Sequence, residues 1–168
     1  MIGGCARAST AVEAKFRINA PNSQPRNVKI IALDGPSERV AKHLATRPWS
    51  RATFFTASAF TPRDAQKFSM DGWLKDLAGR TKSLVDEIAS ADLVVMIASA
   101  GESAQAAAII GEACSVKRVM TTALVLGSEA QSEEGLSKSL AQLRPHAMMV
   151  VVASADEYIE DMLTALRA

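Results

Sequence analysis

The sequence predicts an α/β fold of three layers, in which a doubly wound, mostly parallel sheet of about five strands in the order 2-1-3-4-5 lies between two layers of helices. Two observations indicate this Rossmann-like architecture. Five short apolar runs alternate with segments of helical pattern, and turns that contain Gly, Pro or Ser separate them. Buried strands that alternate with helices are typical of parallel sheets covered on both faces.

The clearest pattern is the stretch from Ala91 to Ala113, which reads ADLVVMIASAGESAQAAAIIGEA. Its apolar, β-branched run (Leu93 to Ile97) predicts a buried strand, its small residues (Ala98 to Gly101) predict a short turn, and its alanine-rich remainder predicts a helix. Open α/β sheets bind their ligands at the carboxyl ends of the strands. This turn is therefore the predicted centre of a binding site.

The chain before this stretch predicts a β-α-β unit. Val28 to Leu33 is the first strand, and Arg51 to Thr56 is the second. Between them, Asp34-Gly35-Pro36-Ser37 begins a helix that runs to about Thr46, because proline just inside a helix start already has the helical φ and needs no N–H donor there. Such a unit favours parallel strands joined by a right-handed crossover.

Two segments lie between the second strand and the central stretch. Residues 57–71 are long for a loop, and three alternatives stay open for the apolar side chains in it: a pocket cover, a subunit contact, or packing against the sheet. From Trp73 to Ala89, apolar residues at helical spacing predict one amphipathic helix.

After the central stretch, the sequence predicts two further strands, each followed by a helix. The strands are Val119 to Leu126, which ends at Gly127-Ser128-Glu129, and Ala147 to Ala153. The helix between them is marked by leucines at i, i+4 and i+7. A capping box, S-x-x-E, begins the last helix at Ser154. The apolar face of this last helix is predicted to bury Tyr158, Ile159, Met162 and Leu166.

Two parts are expected along the chain: an amino-terminal arm and linker over residues 1–26, and a single Rossmann-like domain over residues 27–168. Within the arm, apolar and polar residues alternate over 11–19, which predicts a strand. Three alternatives stay open for it: an edge strand of the domain's own sheet, an arm that pairs with a partner subunit, or a disordered leader.

Composition and charge argue against several functional classes. Nineteen basic residues balance eighteen acidic ones and form no cluster, so nucleic acid is not an expected partner. No apolar run approaches the length of a membrane span, so no membrane partner is expected either. Cys5 and Cys114 lack metal or redox spacing, which predicts reduced thiols in a cytoplasmic protein. His43 and His146 lie far from the predicted pocket, and no catalytic triad, metal-ligand set, G-x-G-x-x-G or Walker motif is present.

The predicted pocket lies between the carboxyl ends of the first and central strands. Backbone amides of two glycine turns would hold an anion there, hydroxyl groups would orient it, and Asp34 would select a sugar. Glu102 opposes this hypothesis, because its carboxylate repels phosphate. The candidate ligand-binding residues are Asp34, Gly35, Ser37, Ser99, Gly101, Glu102 and Ser103.

Structural alternatives stay open for most of these residues. Gly101 is also the residue type that a tight turn requires. Ser99 or Ser103 could cap the helix that follows, since serine is a preferred N-cap residue. Asp34 could instead cap the first helix through the amides of Ser37 or Glu38.

The chain resembles the nucleotide-binding domain of the tubulin/FtsZ family of GTPases over roughly residues 27–155. The central stretch is similar to that family's strand, glycine loop and helix. The family's first strand, turn and helix correspond in position to RNVKIIALDGPSERVAKHL. A later helix and strand of the family are similar to EEGLSKSLAQLRPHAMMVVV. The resemblance implies a nucleotide-binding fold. The family's phosphate-wrapping glycines and threonines are reduced to Gly101-Glu102-Ser103 and Gly35, and the family's long central helix and second domain have no counterpart. We therefore expect neither GTP hydrolysis nor filament formation.

The same turn resembles the phosphosugar-binding loop of sugar isomerase domains, whose pattern is S-x-S-G-x-T. Here the loop reads Ala98-Ser99-Ala100-Gly101-Glu102-Ser103. The glycine and the final hydroxyl match, whereas alanine replaces both leading serines. This resemblance implies a phosphorylated sugar as the ligand.

Together these patterns predict a cytoplasmic protein that binds a small anion or a nucleotide, with little or no catalysis. The cofactor is left unassigned, as a nucleotide or another phosphorylated small molecule. One alternative is an assembly module with a vestigial pocket, which forms a homodimer through the arm and the segment from Phe60 to Trp73. Another is a sugar-phosphate enzyme in which Glu102 is the general base.

Overall fold

The computed structural model of the chain describes residues 24–58, 74–127, 132–153 and 156–168. Within these residues, a seven-stranded sheet lies between two layers of helices, which confirms the predicted fold class. The strands are β1 (Val28–Ala32), β2 (Ala52–Thr56), β3 (Leu74–Asp76), β4 (Thr81–Lys82), β5 (Leu93–Ser99), β6 (Met120–Leu126) and β7 (Met149–Ala153). The helices are α1 (Gly35–Leu44), α2 (Leu84–Ala89), α3 (Ala106–Lys117), α4 (Glu133–Leu143) and α5 (Asp156–Ala165), and a 3₁₀ turn (Arg144–His146) follows α4.

The sheet has the order β4-β3-β2-β1-β5-β6-β7. Its five parallel strands, β2-β1-β5-β6-β7, follow the predicted 2-1-3-4-5 path when they are numbered among themselves. Two antiparallel strands, β3 and β4, extend the sheet beyond β2. The sheet therefore has seven strands rather than about five, and its complete order differs from the prediction.

The core lies on both faces of the central strands. All seven residues of β5 are buried. Val94 and Met96 pack toward α2, α3 and α4, whereas Val95 and Ile97 pack toward α1 and α5. Since successive side chains of a strand point to opposite faces, this alternation places an apolar strand between two helical layers. Each large side chain buried there contributes about 1.5–3 kcal/mol.

The predicted helix from Trp73 to Ala89 is wrong. In the described part of this segment, β3, a turn, β4 and the short helix α2 follow one another. The turn is fixed by Asp76, whose Oδ1 accepts the N–H of Ala78 at 3.0 Å and that of Arg80 at 2.9 Å, and by Gly79, whose φ is +81°. Hydrogen bonds from the Arg80 backbone, from its guanidinium and from Ala78 hold the pKa of Asp76 below its usual range. The apolar residues reach the core from separate elements, so their helical spacing is coincidental.

Smaller differences concern the ends of elements. The first helix ends at Leu44 rather than near Thr46, and the last strand begins at Met149 rather than Ala147. Tyr158, which the sequence predicts to be buried, is 52% exposed, whereas Ile159 is buried. The predicted strand over 11–19, residues 59–73 and the capping box at Ser154 lie outside the described residues. In the described ranges, no helix combines the length and the apolar character that crossing a bilayer would require.

Candidate functional site

The crevice at the carboxyl ends of β1 and β5 is a cavity of about 170 Å³. Its rim residues Glu102, Ser103 and Gln105 are exposed, so the cavity opens to solvent. Pockets for drug-sized ligands measure about 300–1,000 Å³, so a ligand as large as a nucleotide would extend over the rim of this cavity. The cavity is lined by Leu33, Asp34, Gly35, Ser58, Glu102, Ser103, Gln105 and Ala106.

Asp34, between β1 and α1, is the centre of a buried hydrogen-bond network. Its carboxylate accepts the N–H of Ser99 at 2.7 Å and the Ser99 hydroxyl at 2.9 Å, and it also accepts the Ser37 N–H at 2.8 Å. In return, the Asp34 N–H donates to the Ser37 hydroxyl at 3.1 Å, which completes a capping box for α1. Ser37 and Ser99 therefore lie beneath the cavity and do not line it.

Gly101 has a φ of +83° and turns its backbone toward α4. Its N–H donates to the Ser139 hydroxyl at 3.0 Å and to the Gly135 carbonyl at 3.2 Å, and the nearby Ala104 N–H donates to Gln142 Oε1 at 2.9 Å. These amides are used inside the protein and are not directed at a ligand. The structure thus favours the alternative in which Gly101 makes the turn.

The amino terminus of α3 differs from that of α1, because no side chain caps it. Its N-cap residue is Gln105, whose side chain makes no capping hydrogen bond. The alternative of a serine cap at Ser99 or Ser103 is therefore wrong. Among the described residues, no hydrogen-bond acceptor is present for the amides of Ser103, Gln105 and Ala106, and all three residues line the cavity. Unpaired amides and the helix dipole give this end a partial positive charge.

A second polar cluster lies beside the cavity, around Glu38 of α1. The Glu38 carboxylate accepts hydrogen bonds from the Ser58 hydroxyl at 2.6 Å and from the Thr56 hydroxyl at 3.0 Å, and Lys42 Nζ lies 2.7 Å from it. The hydrogen bonds from Lys42 and Ser58 lower the pKa of Glu38 to about 2. This glutamate is therefore ionised at neutral pH and holds the hydroxyl of Ser58 on the cavity wall.

The polar lining of the cavity combines four predicted residues with two further polar residues that the sequence analysis did not single out. Asp34, Gly35, Glu102 and Ser103 come together as expected. The rule that ligands bind at the carboxyl ends of parallel strands also indicates Ser58 and Gln105. Ser58 follows the carboxyl end of β2, and Gln105 precedes α3. Within the described ranges, no three His, Cys, Asp or Glu residues are grouped to hold a metal ion.

Two larger cavities lie elsewhere in the domain. One of about 310 Å³ includes Trp49 and Arg167, and another of about 370 Å³ includes Cys114, Arg118 and His146. Burial raises the pKa of the Cys114 thiol to about 12. The thiol therefore stays protonated at neutral pH, and it is unreactive because the thiolate is the nucleophilic form.

Comparisons with known proteins do not assign the chain to a family. No protein-family model and no curated protein matches it. One similar solved structure, described as a pilus assembly-related protein from Burkholderia pseudomallei, has 14% identity and a TM-score of 0.43 over 84% of this chain and 90% of that chain. Another, a CMP N-glycosidase from Clostridium botulinum, has 13% identity and a TM-score of 0.40 over 81% and 99%. The resemblances to the tubulin/FtsZ and sugar isomerase families stay predictions.

Proposed function

We propose that the crevice between β1 and β5 binds a small ligand that carries one anionic group and several hydroxyl groups, as nucleotides and sugar phosphates do. The observation that supports this proposal is the amino terminus of α3, where Gln105 makes no capping hydrogen bond and where Ser103, Gln105 and Ala106 line the cavity. Backbone N–H groups at a helix amino terminus bind phosphate through hydrogen bonds and through the helix dipole.

In this proposal, Glu102 recognises the hydroxyl groups of the ligand. It is exposed on the rim of the same cavity, where its carboxylate would accept hydrogen bonds from sugar hydroxyl groups. An acidic residue beside a phosphate site has this role in dinucleotide-binding folds. Asp34 is not given the role of binding the sugar, because its carboxylate oxygens already accept hydrogen bonds from Ser37 and Ser99.

The proposal is one of binding with little or no catalysis. Acid–base catalysis by two carboxyl groups requires both to reach the substrate, and of the two that line the cavity Asp34 is engaged by Ser37 and Ser99, which leaves Glu102 alone. The cytoplasm is the proposed location. The alternative of a homodimer through the arm and the segment from Phe60 to Trp73 rests on residues outside the described ranges and stays a prediction.

The test is a thermal-shift and calorimetric titration with inorganic phosphate, ribose 5-phosphate and GMP. A ligand at about a hundred times its Kd stabilises the fold by about 2.7 kcal/mol. The variant Gln105→Asp introduces a carboxylate where the anion would bind, so affinity should fall at least tenfold. The same variant should raise the Tm slightly, because aspartate is a better N-cap residue than glutamine.

The matched control is Ser83→Asp, which adds the same charge at the N-cap of α2, a helix that does not line the cavity. It should leave affinity unchanged. If none of the three compounds binds, or if Gln105→Asp binds as tightly as the wild type, the crevice is not the anion site that we propose.

A further inference from the structure

Exposed apolar side chains are concentrated around β7. Within the described residues, four of the six large apolar side chains that are exposed lie on β7, directly before it, or at the start of the neighbouring β6. Two belong to β7, one precedes it, one begins the neighbouring β6, one is in the last turn of α3, and one is in the first turn of α5. They are Met149, Val152, Met148, Met120, Val116 and Tyr158.

Among the described strands, β7 lies at an edge of the sheet and lacks the residues that usually protect such an edge. It is the last strand of the described sheet, and its five residues, Met-Val-Val-Val-Ala, include no charge, proline or glycine. Edge strands normally carry such residues, or are very short, because their unpaired backbone groups bind other strands. The opposite edge, β4, follows this rule: it has two residues, and one of them is Lys82.

The backbone of β7 is self-complementary. The Ala153 carbonyl accepts the Gly127 N–H at 3.0 Å, on the side of β6. Since alternate residues of a strand direct their backbone groups to opposite sides, Val150 and Val152 direct theirs to the open edge. A twofold axis at Val151 would place Val150 opposite Val152 of a second copy, and each such pair exchanges two hydrogen bonds, about four in all.

We propose that β7 binds β7 of a second copy of this chain in antiparallel orientation, so that the two sheets become continuous. A second copy is the favoured occupant because one strand supplies both halves of the hydrogen-bond pattern, and because no charge on β7 selects a different partner. Met149 and Val152, the two exposed apolar side chains of β7, then lie beside the strand of the second copy. The interface does not depend on the ligand proposal, since β6 separates β7 from the crevice strands.

The first measurement is the mass of the full chain by light scattering over a range of concentrations. The expected mass is twice the 17.8 kDa of one chain. Val152→Lys places a charge against the second copy and should weaken the dimer at least tenfold. Thr53→Lys, at an exposed position of β2, is the matched control and should leave the mass unchanged. A monomer at all concentrations, or a dimer that Val152→Lys does not weaken, overturns the proposal.

A cross-link tests the register and does not depend on how Val152→Lys folds. In a Cys5→Ser background, the two copies of Val151→Cys would face each other at a Cβ separation of about 4.5–5.5 Å and should form a disulfide-linked dimer on mild oxidation. Val152→Cys should cross-link much less, because its two copies are offset along the strands. Equal cross-linking by both variants contradicts the register. A protein that dimerises only after removal of residues 1–20 would show that its own amino-terminal segment occupies the edge, which also overturns the proposal.

Discussion

The carboxylate of Asp34 binds both hydrogen-bond donors of Ser99, its N–H at 2.7 Å and its hydroxyl at 2.9 Å, and so joins the carboxyl ends of β1 and β5. The same carboxylate accepts the Ser37 N–H and caps α1. One buried side chain therefore fixes the relative position of two strands and a helix, at the point where the ligand is proposed to bind.

Asp34→Asn should lower the free energy of unfolding by about 2–3 kcal/mol. The amide oxygen can replace one carboxylate oxygen, but the amide NH₂ group then faces buried N–H and O–H donors, which leaves them unsatisfied. Urea denaturation monitored by circular dichroism gives the value.

The control is Asp92→Asn at the other end of the same strand pair, where an exposed carboxylate accepts the Asn27 N–H at 2.7 Å. Its loss should cost less than about 1 kcal/mol, since water can replace it. Equal effects would contradict a special role for Asp34.

Gly111→Ala should destabilise the domain by about 1–3 kcal/mol through overpacking. A Cβ at this buried position of α3 would lie 2.6 Å from the His146 Cβ and 3.1 Å from the His146 Cα, in the 3₁₀ turn after α4. Gly35→Ala is the control, because a Cβ there meets nothing within 4 Å, and it should stabilise the protein by about 0.4–1 kcal/mol. Thermal unfolding of the two variants checks this. A Gly111→Ala variant as stable as the wild type would mean that the 3₁₀ turn moves aside at little cost.

Glu38 should make stability depend on pH in the acid range. Its pKa is about 2 in the folded protein and 4.5 in the reference state, so its contribution is complete above about pH 5 and is lost as the pH falls from 4.5 towards 2. At pH 6, Glu38→Gln should lower the free energy of unfolding by about 1–2 kcal/mol. The difference from the wild type should approach zero near pH 2. Glu112→Gln, at an exposed position of α3, is the control. A difference for Glu38→Gln that does not change with pH contradicts the ionised network.

The parallel part of the fold could be predicted because its pattern has only one interpretation. A run such as Leu93 to Ile97, buried on both faces, fits a central strand and little else. The segment that includes Leu74, Leu84 and Ile88 is predicted wrongly because apolar spacing does not distinguish one helix from two elements that reach the core separately. Asp76 and Gly79 are residue types that favour a turn, but the periodicity of the apolar residues favours a helix across them.

The proximity of the candidate residues could be predicted, but their hydrogen bonds could not. Parallel strands bring their carboxyl ends to one side, so the proximity of Asp34 and Ser99 follows from the order of the strands. Which donors remain available for a ligand depends on contacts between distant residues. The Gly101 N–H is taken by Ser139, which lies 38 positions further along the chain. No local pattern indicates that contact, and it removes one of the glycine-turn amides that the sequence predicts to hold an anion.

The difference between the two edges of the sheet limits how far any assembly can grow. If two copies join through β7, the outermost described strand on each side of the combined sheet is β4, with two residues and the charged Lys82. Such a margin offers almost no backbone to a further strand. Addition therefore stops after one step, and the product is a closed, twofold-symmetric particle of fixed size rather than a fibre.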